Sequence, residues 1–344
     1  MIRSDRRRGQ RGVALLTMLL VAALATTLVV ALLGQQMRVQ RELGGQLQQD
    51  QMAEYHRGAG LFALAALRED ARGGSTVDHP GEFWAQPFPP FPVPGGVIMP
   101  VLRDAQSRFN LNSLVSGRQL NDDAVAVYRT ILQANALPPE LADSLIDWLD
   151  ADTLPFSAQG AEDDYYLRQS PSYRAGNQSL STYSELRLVR GYSQDVLRTL
   201  APWVVVLPAR ASQLNVNFLT PALLEALLPS IPPASALALL QNRPPAGWKK
   251  VDEFLDNPLF NGVDADSVAR LRRLLTVRSD YFELYTRIRL ADRERQSWSL
   301  ILREQRGAKL AVIANERNPA WVPVFEALPA AAASEPDQEE QGTP

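Results

Sequence analysis

Val13 to Leu33 reads VALLTMLLVAALATTLVVALL: 21 residues without a charged side chain, with Thr17, Thr26 and Thr27 as the polar groups among them. As a helix rising about 1.5 Å per residue, the run is long enough to cross a hydrocarbon core of about 30 Å. The residues before it, MIRSDRRRGQRG, hold five arginines (Arg3, Arg6, Arg7, Arg8 and Arg11) against one acid, Asp5. An excess of basic residues beside a span holds that flank in the cytoplasm. The sequence therefore describes a membrane-tethered chain whose bulk faces the other side.

Three kinds of N-terminus meet this description. A secretory signal peptide needs a shorter apolar core followed by a small-x-small cleavage site, and Gly34-Gln35-Gln36-Met37 supplies no such site. A plain signal anchor needs no processing. A prepilin-type leader needs a short basic segment, a glycine, and then an apolar helix that stays in the mature protein. Cleavage between Gly12 and Val13 matches this order. Arg11-Gly12-Val13-Ala14-Leu15-Leu16-Thr17 resembles the processing site that type II secretion pseudopilins share with type IV pilins. Most of those proteins carry glutamate at the fifth mature position, where this chain has Thr17. A carboxylate inside the bilayer is costly without a partner. In the family it is thought to meet the N-terminus of a neighbouring subunit. Its loss is what a subunit at the end of a filament would show, and the K-type minor pseudopilin is the one known to lack it.

Beyond leader and span, about 310 of the 344 residues remain, enough for two cores. A net charge of −3 and a pI near 5.6 speak against nucleic acid as an obligatory partner. The absence of cysteine excludes disulfides, thiolate metal sites and thiol catalysis, and two histidines, His56 and His79, are too few for a histidine-rich metal site.

From Gln35 to Arg72 the chain continues in good helix formers without proline. Leu43, Leu47, Tyr55, Ala59, Phe62 and Ala66 form an apolar stripe, which predicts a helix packed on its own sheet, bent or weakened at Gly44-Gly45. A proline-rich passage, Gln86 to Pro94, reads as a surface connector. Gly95 to Asn112 reads as strand, as do Tyr281 to Leu290, Trp298 to Arg303 and Leu310 to Asn315, the last three as an antiparallel meander. The acidic residues after Ala330 mark a disordered tail.

Between the strands, Leu111 to Thr276 is helical by pattern and weakly repeats. Phe109-Asn110-Leu111-Asn112 returns as Leu214-Asn215-Val216-Asn217, each followed by a helix (Asp122 to Ala134, and from Pro221 to Leu228), with a strand, Pro202 to Leu207, between the units. The second unit is similar to the helix-hairpin-helix modules of DNA-uptake proteins, which suggests a membrane-anchored DNA-binding protein as the alternative function. Such modules reach phosphate through backbone N–H groups of a Gly-x-Gly turn. Here the turn is Leu228-Pro229-Ser230-Ile231-Pro232-Pro233, without glycine, and no basic patch surrounds it.

The resemblance to the K-type minor pseudopilin thus spans nearly the whole mature chain. It rests on Gly12-Val13, Thr17, the two Asn-x-Asn segments, Asp147-Trp148-Leu149-Asp150 and Gly160-Ala161-Glu162-Asp163. It implies an α+β fold in which the transmembrane helix continues into a pilin-like helix on a small antiparallel sheet, interrupted by a large helical insertion of two helix-hairpin-helix-like units. The expected division is 1–12 leader, 13–33 membrane span, 34–110 helix and first strands, 111–276 insertion, 277–328 closing strands and 329–344 tail. The implied role is noncatalytic, at the tip of the secretion pseudopilus of a bacterial inner membrane, with the soluble part periplasmic. The implied partners are the I- and J-type minor pseudopilins, the major pseudopilin, the prepilin peptidase and the inner-membrane secretion platform. N-terminal methylation accompanies such processing in the family.

One acidic stretch could hold chemistry. Asp147, Asp150, Asp152, Glu162, Asp163 and Asp164 precede Asn177; Asp147 and Asp150 share a helical face, and the segment through Pro155, Ser157 and Gly160 could return Glu162 and Asp163 to them. Hard oxygen ligands without histidine or cysteine suit Ca²⁺, although the spacing is not that of an EF-hand. By spacing alone, a solvated acidic loop capping helices is the better reading; the resemblance, to a subunit known to bind calcium, favours the ion. A glycosidase-like pair such as Asp150 and Glu162 finds no further support, since no nucleophile elbow, phosphate loop or nearby histidine accompanies it.

Overall fold

The computed structural model describes residues 6–74, 76–116, 119–208, 213–304 and 309–319. The first five residues and the tail expected over 329–344 lie outside this set, and at Gly12-Val13 the helical backbone alone is described. The chain divides into two units, Met1–Tyr55 and His56–Pro344.

The described part of the first unit is helix, the greater part of α1 (Arg6–Arg72). Its apolar window has a mean hydropathy of 2.6 and none of it is buried in protein, so by length and composition it is able to cross a membrane. The polar groups within it turn back on the helix: Thr17 Oγ1 donates to Ala14 O at 2.9 Å, Thr26 Oγ1 to Ala22 O at 2.7 Å and Thr27 Oγ1 to Leu24 O at 2.8 Å. No hydroxyl there needs water or a partner chain. The helix continues through Gly44-Gly45, and one sequence expectation changes: Leu43 and Leu47 of the predicted stripe are exposed.

In the second unit, the end of α1 buries Ala59, Ala63, Ala66 and Leu67. Small side chains let this part of the helix lie close to the sheet, with His56 Nε2 3.1 Å from Ser299 Oγ and the Phe62 ring edge-on to Phe88 and Phe91. Strands β1 (Phe91–Val93) and β2 (Gly96–Asp104) then form a hairpin around Pro94-Gly95. Gly95 has φ +80°, open to glycine at little cost. The proline-rich connector therefore ends in a strand. Pro92 is accommodated because β1 lies at the sheet's edge, where a missing N–H breaks no second ladder.

The expected strand from Gly95 to Asn112 breaks after Asp104, where the insertion begins. Its first half contains β3 (Phe109–Asn110), the hairpin β4 (Val115–Ser116) and β5 (Gln119–Leu120), then α2 (Asp122–Ala134), α3 (Leu141–Leu149), α4 (Asp163–Tyr166), α5 (Gln194–Leu200) and β6 (Val204–Val205). The second half contains β7 (Leu214–Asn215), α6 (Pro221–Leu227), α7 (Pro233–Gln241), α8 (Val251–Leu255), α9 (Ala265–Leu274) and β8 (Leu275–Thr276). The chain returns as the meander β9 (Tyr281–Leu290), β10 (Arg293–Glu304) and β11 (Lys309–Arg317). The five-stranded sheet has the order β1-β2-β9-β10-β11, with every pair antiparallel. The insertion thus leaves and re-enters between adjacent strands.

The repeat has a structural basis. β3 pairs in parallel with β6, and β7 with β8, so each half closes on its own two-stranded ladder. The strand expected between the units belongs to the first. In each half the first asparagine caps the turn that follows: Asn112 N donates to Asn110 Oδ1 at 3.2 Å, and Asn217 N to Asn215 Oδ1 at 2.9 Å. The second asparagine, fully buried, stands in for a peptide group. Asn112 receives Leu180 N at 2.8 Å and donates to the carbonyls of Leu180 and Leu207. Asn217 receives Trp248 N at 2.8 Å and donates to Trp248 O at 3.2 Å. One apolar core joins both halves to the sheet through Tyr285, Trp298 and Leu300.

Candidate metal centre

The acidic stretch begins on α3, whose inner face carries Asp143 and Asp147 one turn apart, both buried. Neither points to open solvent. Asp147 accepts the backbone N–H of Phe156 at 2.8 Å on one oxygen and that of Ala161 at 2.5 Å on the other. Asp143 accepts Ser157 Oγ at 2.7 Å and Arg129 Nη2 at 2.6 Å. Together they clamp the loop running from Asp150 to Glu162. Gly160 belongs to this clamp, since a Cβ there would fall 2.1 Å from Asp147 Oδ2.

The clamped loop brings its two ends together. Asp150 follows the last turn of α3, Asp152 lies two residues on, and Glu162 immediately precedes α4; an oxygen from each lies within 4.8 Å of the other two. Asn177, in the left-handed region at φ +44°, donates Nδ2 to Asp152 O at 3.1 Å. The remaining acceptors are unsatisfied among the described residues: Asp150 Oδ1, both Glu162 oxygens and Asn177 Oδ1 are buried and receive no hydrogen bond. Burial, reinforced by Asp147, Asp150, Asp152 and Asp163, pushes Glu162 up to about 7. Burial and then Asp152 and Asp147 push Asp150 up to about 6.

Of the seven residues expected to hold metal, Asp150, Asp152, Glu162 and Asn177 are therefore brought together with oxygens to spare. Asp147 spends both oxygens on backbone amides. Asp163, in the first turn of α4, receives Ala175 N at 3.0 Å and lies 3.3 Å from Arg174 Nη1. Asp164 is exposed. Oxygen acceptors converging without donors fit a hard divalent cation, which would supply the missing positive charge. Sequence reasoning missed Asp143, whose i, i+4 relation to Asp147 was the available signal, and named Gly160 only as part of the returning segment.

The suggested nucleic-acid module lacks the groups it would need. In the connection between α6 and α7, Pro232 precedes the helix and Pro233 opens it, so neither position offers an N–H to phosphate.

Comparison with known proteins converges on one family. Residues 107–209 and 214–278 match two family descriptions that both read Type II secretion system (T2SS), protein K. The chain is 36% identical over 328 residues to the type II secretion system protein K of Pseudomonas aeruginosa, covering 92% of this chain and 96% of that one. It is 34% identical to the Klebsiella pneumoniae counterpart, covering 91% and 98%. A chain in the crystal structure of the GspK-GspI-GspJ complex from enterotoxigenic Escherichia coli superimposes with a TM-score of 0.72 at 33% identity, covering 80% of this chain and 98% of that chain.

Proposed function

This chain belongs to the type II secretion system protein K family and is a minor pseudopilin of that machinery; on that premise we propose that it sits at the tip of the pseudopilus, helps to initiate its assembly and thereby supports export across the outer membrane. The observation that carries this reading is the likeness, over almost the whole of the solved chain, to a chain of the crystallised GspK-GspI-GspJ complex of a type 2 secretion system. The corresponding partners here would be I- and J-type minor pseudopilins, with the major pseudopilin below them. Thr17 in place of an intramembrane acid agrees with an end position. The role is structural, without catalysis.

The anchor would be inserted in the inner membrane with Arg3 to Arg11 in the cytoplasm and the sheet and insertion in the periplasm. Prepilin peptidase would cut between Gly12 and Val13, with methylation of the new N-terminus. Protein isolated from membranes should begin at Val13, and Gly12→Asp should leave an unprocessed chain and block secretion. Mature protein from that variant, starting at Val13, would contradict the processing assignment.

Ca²⁺ would be held by Asp150, Asp152, Glu162 and the Asn177 side-chain carbonyl, where it would neutralise converging carboxylates and fix the loop. An ion that binds the folded state alone adds about 2.7 kcal/mol of stability at ~100 times its dissociation constant. Chelation should lower the melting temperature of the purified chain and added Ca²⁺ should restore it, with Mg²⁺ a poor substitute because its shell is small and strictly octahedral. Asp150→Ala combined with Glu162→Ala should remove the dependence. A melting curve indifferent to both chelator and Ca²⁺ would reduce the cluster to an acidic loop.

A further inference from the structure

Where the sheet releases the chain into the helical insertion and takes it back, four carboxylates lie close together, and one guanidinium pairs with two of them. Asp70 comes from the last turn of α1, Asp78 and Glu82 from the segment after it, Asp104 from the end of β2 and Arg303 from β10. Arg303 Nη1 donates to Asp70 Oδ2 at 2.8 Å; Nη2 donates to Asp78 Oδ1 and, at 2.9 Å, to Ser279 O. Oxygens of Asp70, Asp78 and Glu82 lie within 4.8 Å of one another. Glu82 Oε2 receives Trp84 Nε1 at 2.8 Å and His79 N at 3.2 Å. Asp104 has neutral donors instead: Ser279 Oγ at 2.6 Å and the backbone N–H of Gln106.

The same network ties down the insertion. Asn215 of β7 donates to Ser279 Oγ at 2.8 Å and to Asp78 O at 3.2 Å. Gln106, on the outgoing chain, donates to Gln213 O at 2.6 Å and accepts the N–H groups of Asp280 and Tyr281 on the returning one. Asp78, Asp104, Asn215, Ser279 and Arg303 are all buried. The surrounding charges are His79 and Lys249 beside the segment after α1, Arg278 and Asp280 at the entry to β9, and Glu304 after Arg303. Glu69 and Arg72 of α1 are exposed and pair with each other at 3.3 Å.

Four ionised carboxylates so close together, two of them buried and two half-buried, with one guanidinium paired to two of them, repel one another strongly. We propose that this joint is a protonation latch: with Glu82 and Asp104 protonated it locks the insertion to the sheet, and loss of those protons loosens both connections. Burial, then Asp70 and Asp78, pushes Glu82 up to about 7, and burial pushes Asp104 up to about 7. Burial also raises Asp70 despite Arg303, and raises Asp280 despite Arg278 and Arg303. Such groups bind more protons folded than unfolded between about pH 4 and 7. Their contribution is therefore greatest on the acid side and is lost as pH rises through 7.

The chain has no cysteine, which allows a single engineered label pair. Asn315→Cys on β11 and Asp266→Cys on α9, both exposed, place one spin label on the sheet and one on the insertion. Electron–electron distance measurements on the full chain in detergent with chelator, at pH 5.5 and 8.5, should give a narrow distribution in acid and a broad one in base, with a melting temperature several degrees lower in base. Glu82→Gln and Asp104→Asn each imitate the protonated acid, so each should keep the distribution narrow at pH 8.5 and reduce the fall in melting temperature, leaving the share that Asp150 and Glu162 supply. If circular dichroism shows Asp104→Asn unfolded, Glu82→Gln decides alone. A wild-type chain unchanged between the two pH values, or a response that survives in full in a folded Glu82→Gln chain, would overturn the latch.

Discussion

Asn217 shows how much a single buried amide can organise. Its side chain satisfies both the N–H and the carbonyl of Trp248, which packs its ring 5.0 Å from Phe254. Asn217→Ala would bury both backbone groups without partners, at a cost of roughly 1–3 kcal/mol per group. Denaturant unfolding should show a loss of that order, and Asn217→Asp, which would set a buried carboxylate against the Trp248 carbonyl, should be no milder. Gly160 acts by absence. Gly160→Ala would drive a methyl into Asp147 Oδ2 and detach the loop that carries the acidic cluster. Calorimetry should then show weakened Ca²⁺ binding with the sheet's circular dichroism unchanged; full affinity in that variant would show that the clamp does not position the site.

At the scale of elements, the join between sheet and insertion depends on Arg108 and Glu283. Arg108, just before β3, pairs with the buried carboxylate of Glu283 on β9 and donates to Ala201 O at 3.1 Å. Trp298 Nε1 and Tyr285 OH complete the shell of Glu283 at 2.9 and 3.1 Å. Removing one member of such a pair strands the other charge, which typically costs about 3–5 kcal/mol. Arg108→Met should lower stability by that order, measured by thermal melting and Trp298 fluorescence. Adding Glu283→Gln should recover part of the loss. An Arg108→Met chain as stable as the wild type would mean that the apolar core alone holds the two together.

For the whole molecule, the bulk of the insertion and the lost membrane acid point the same way. A large helical body between β2 and β9 is ill suited to close stacking along a filament, and Thr17 turns its hydroxyl onto its own helix instead of offering a charge to a neighbour. Thr17→Glu should therefore leave secretion unchanged or reduced. Secretion of an exported enzyme that rises above wild type in this variant would contradict an end position.

What the sequence determined by itself was whatever depends on neighbours along the chain. An uncharged run next to arginines makes a span, alternation makes β9, β10 and β11, and Asn-x-Asn recurring ahead of helices reveals two like units. These signals are local because hydrophobic period and capping act within a few residues. Tertiary structure decided the rest. Whether an acid clamps a loop or keeps an oxygen unsatisfied depends on which backbone amides reach it first, and Asp147 and Asp150, three residues apart, divide on that point. The partner of β3 and the strand character of Phe91–Val93 depend on pairing between distant segments. The carboxylates of the joint beside Arg303 come from positions 70, 78, 82 and 104, two of them paired with it, and no spacing announces them. They meet because the sheet closes across the insertion, and that closure exists only in three dimensions.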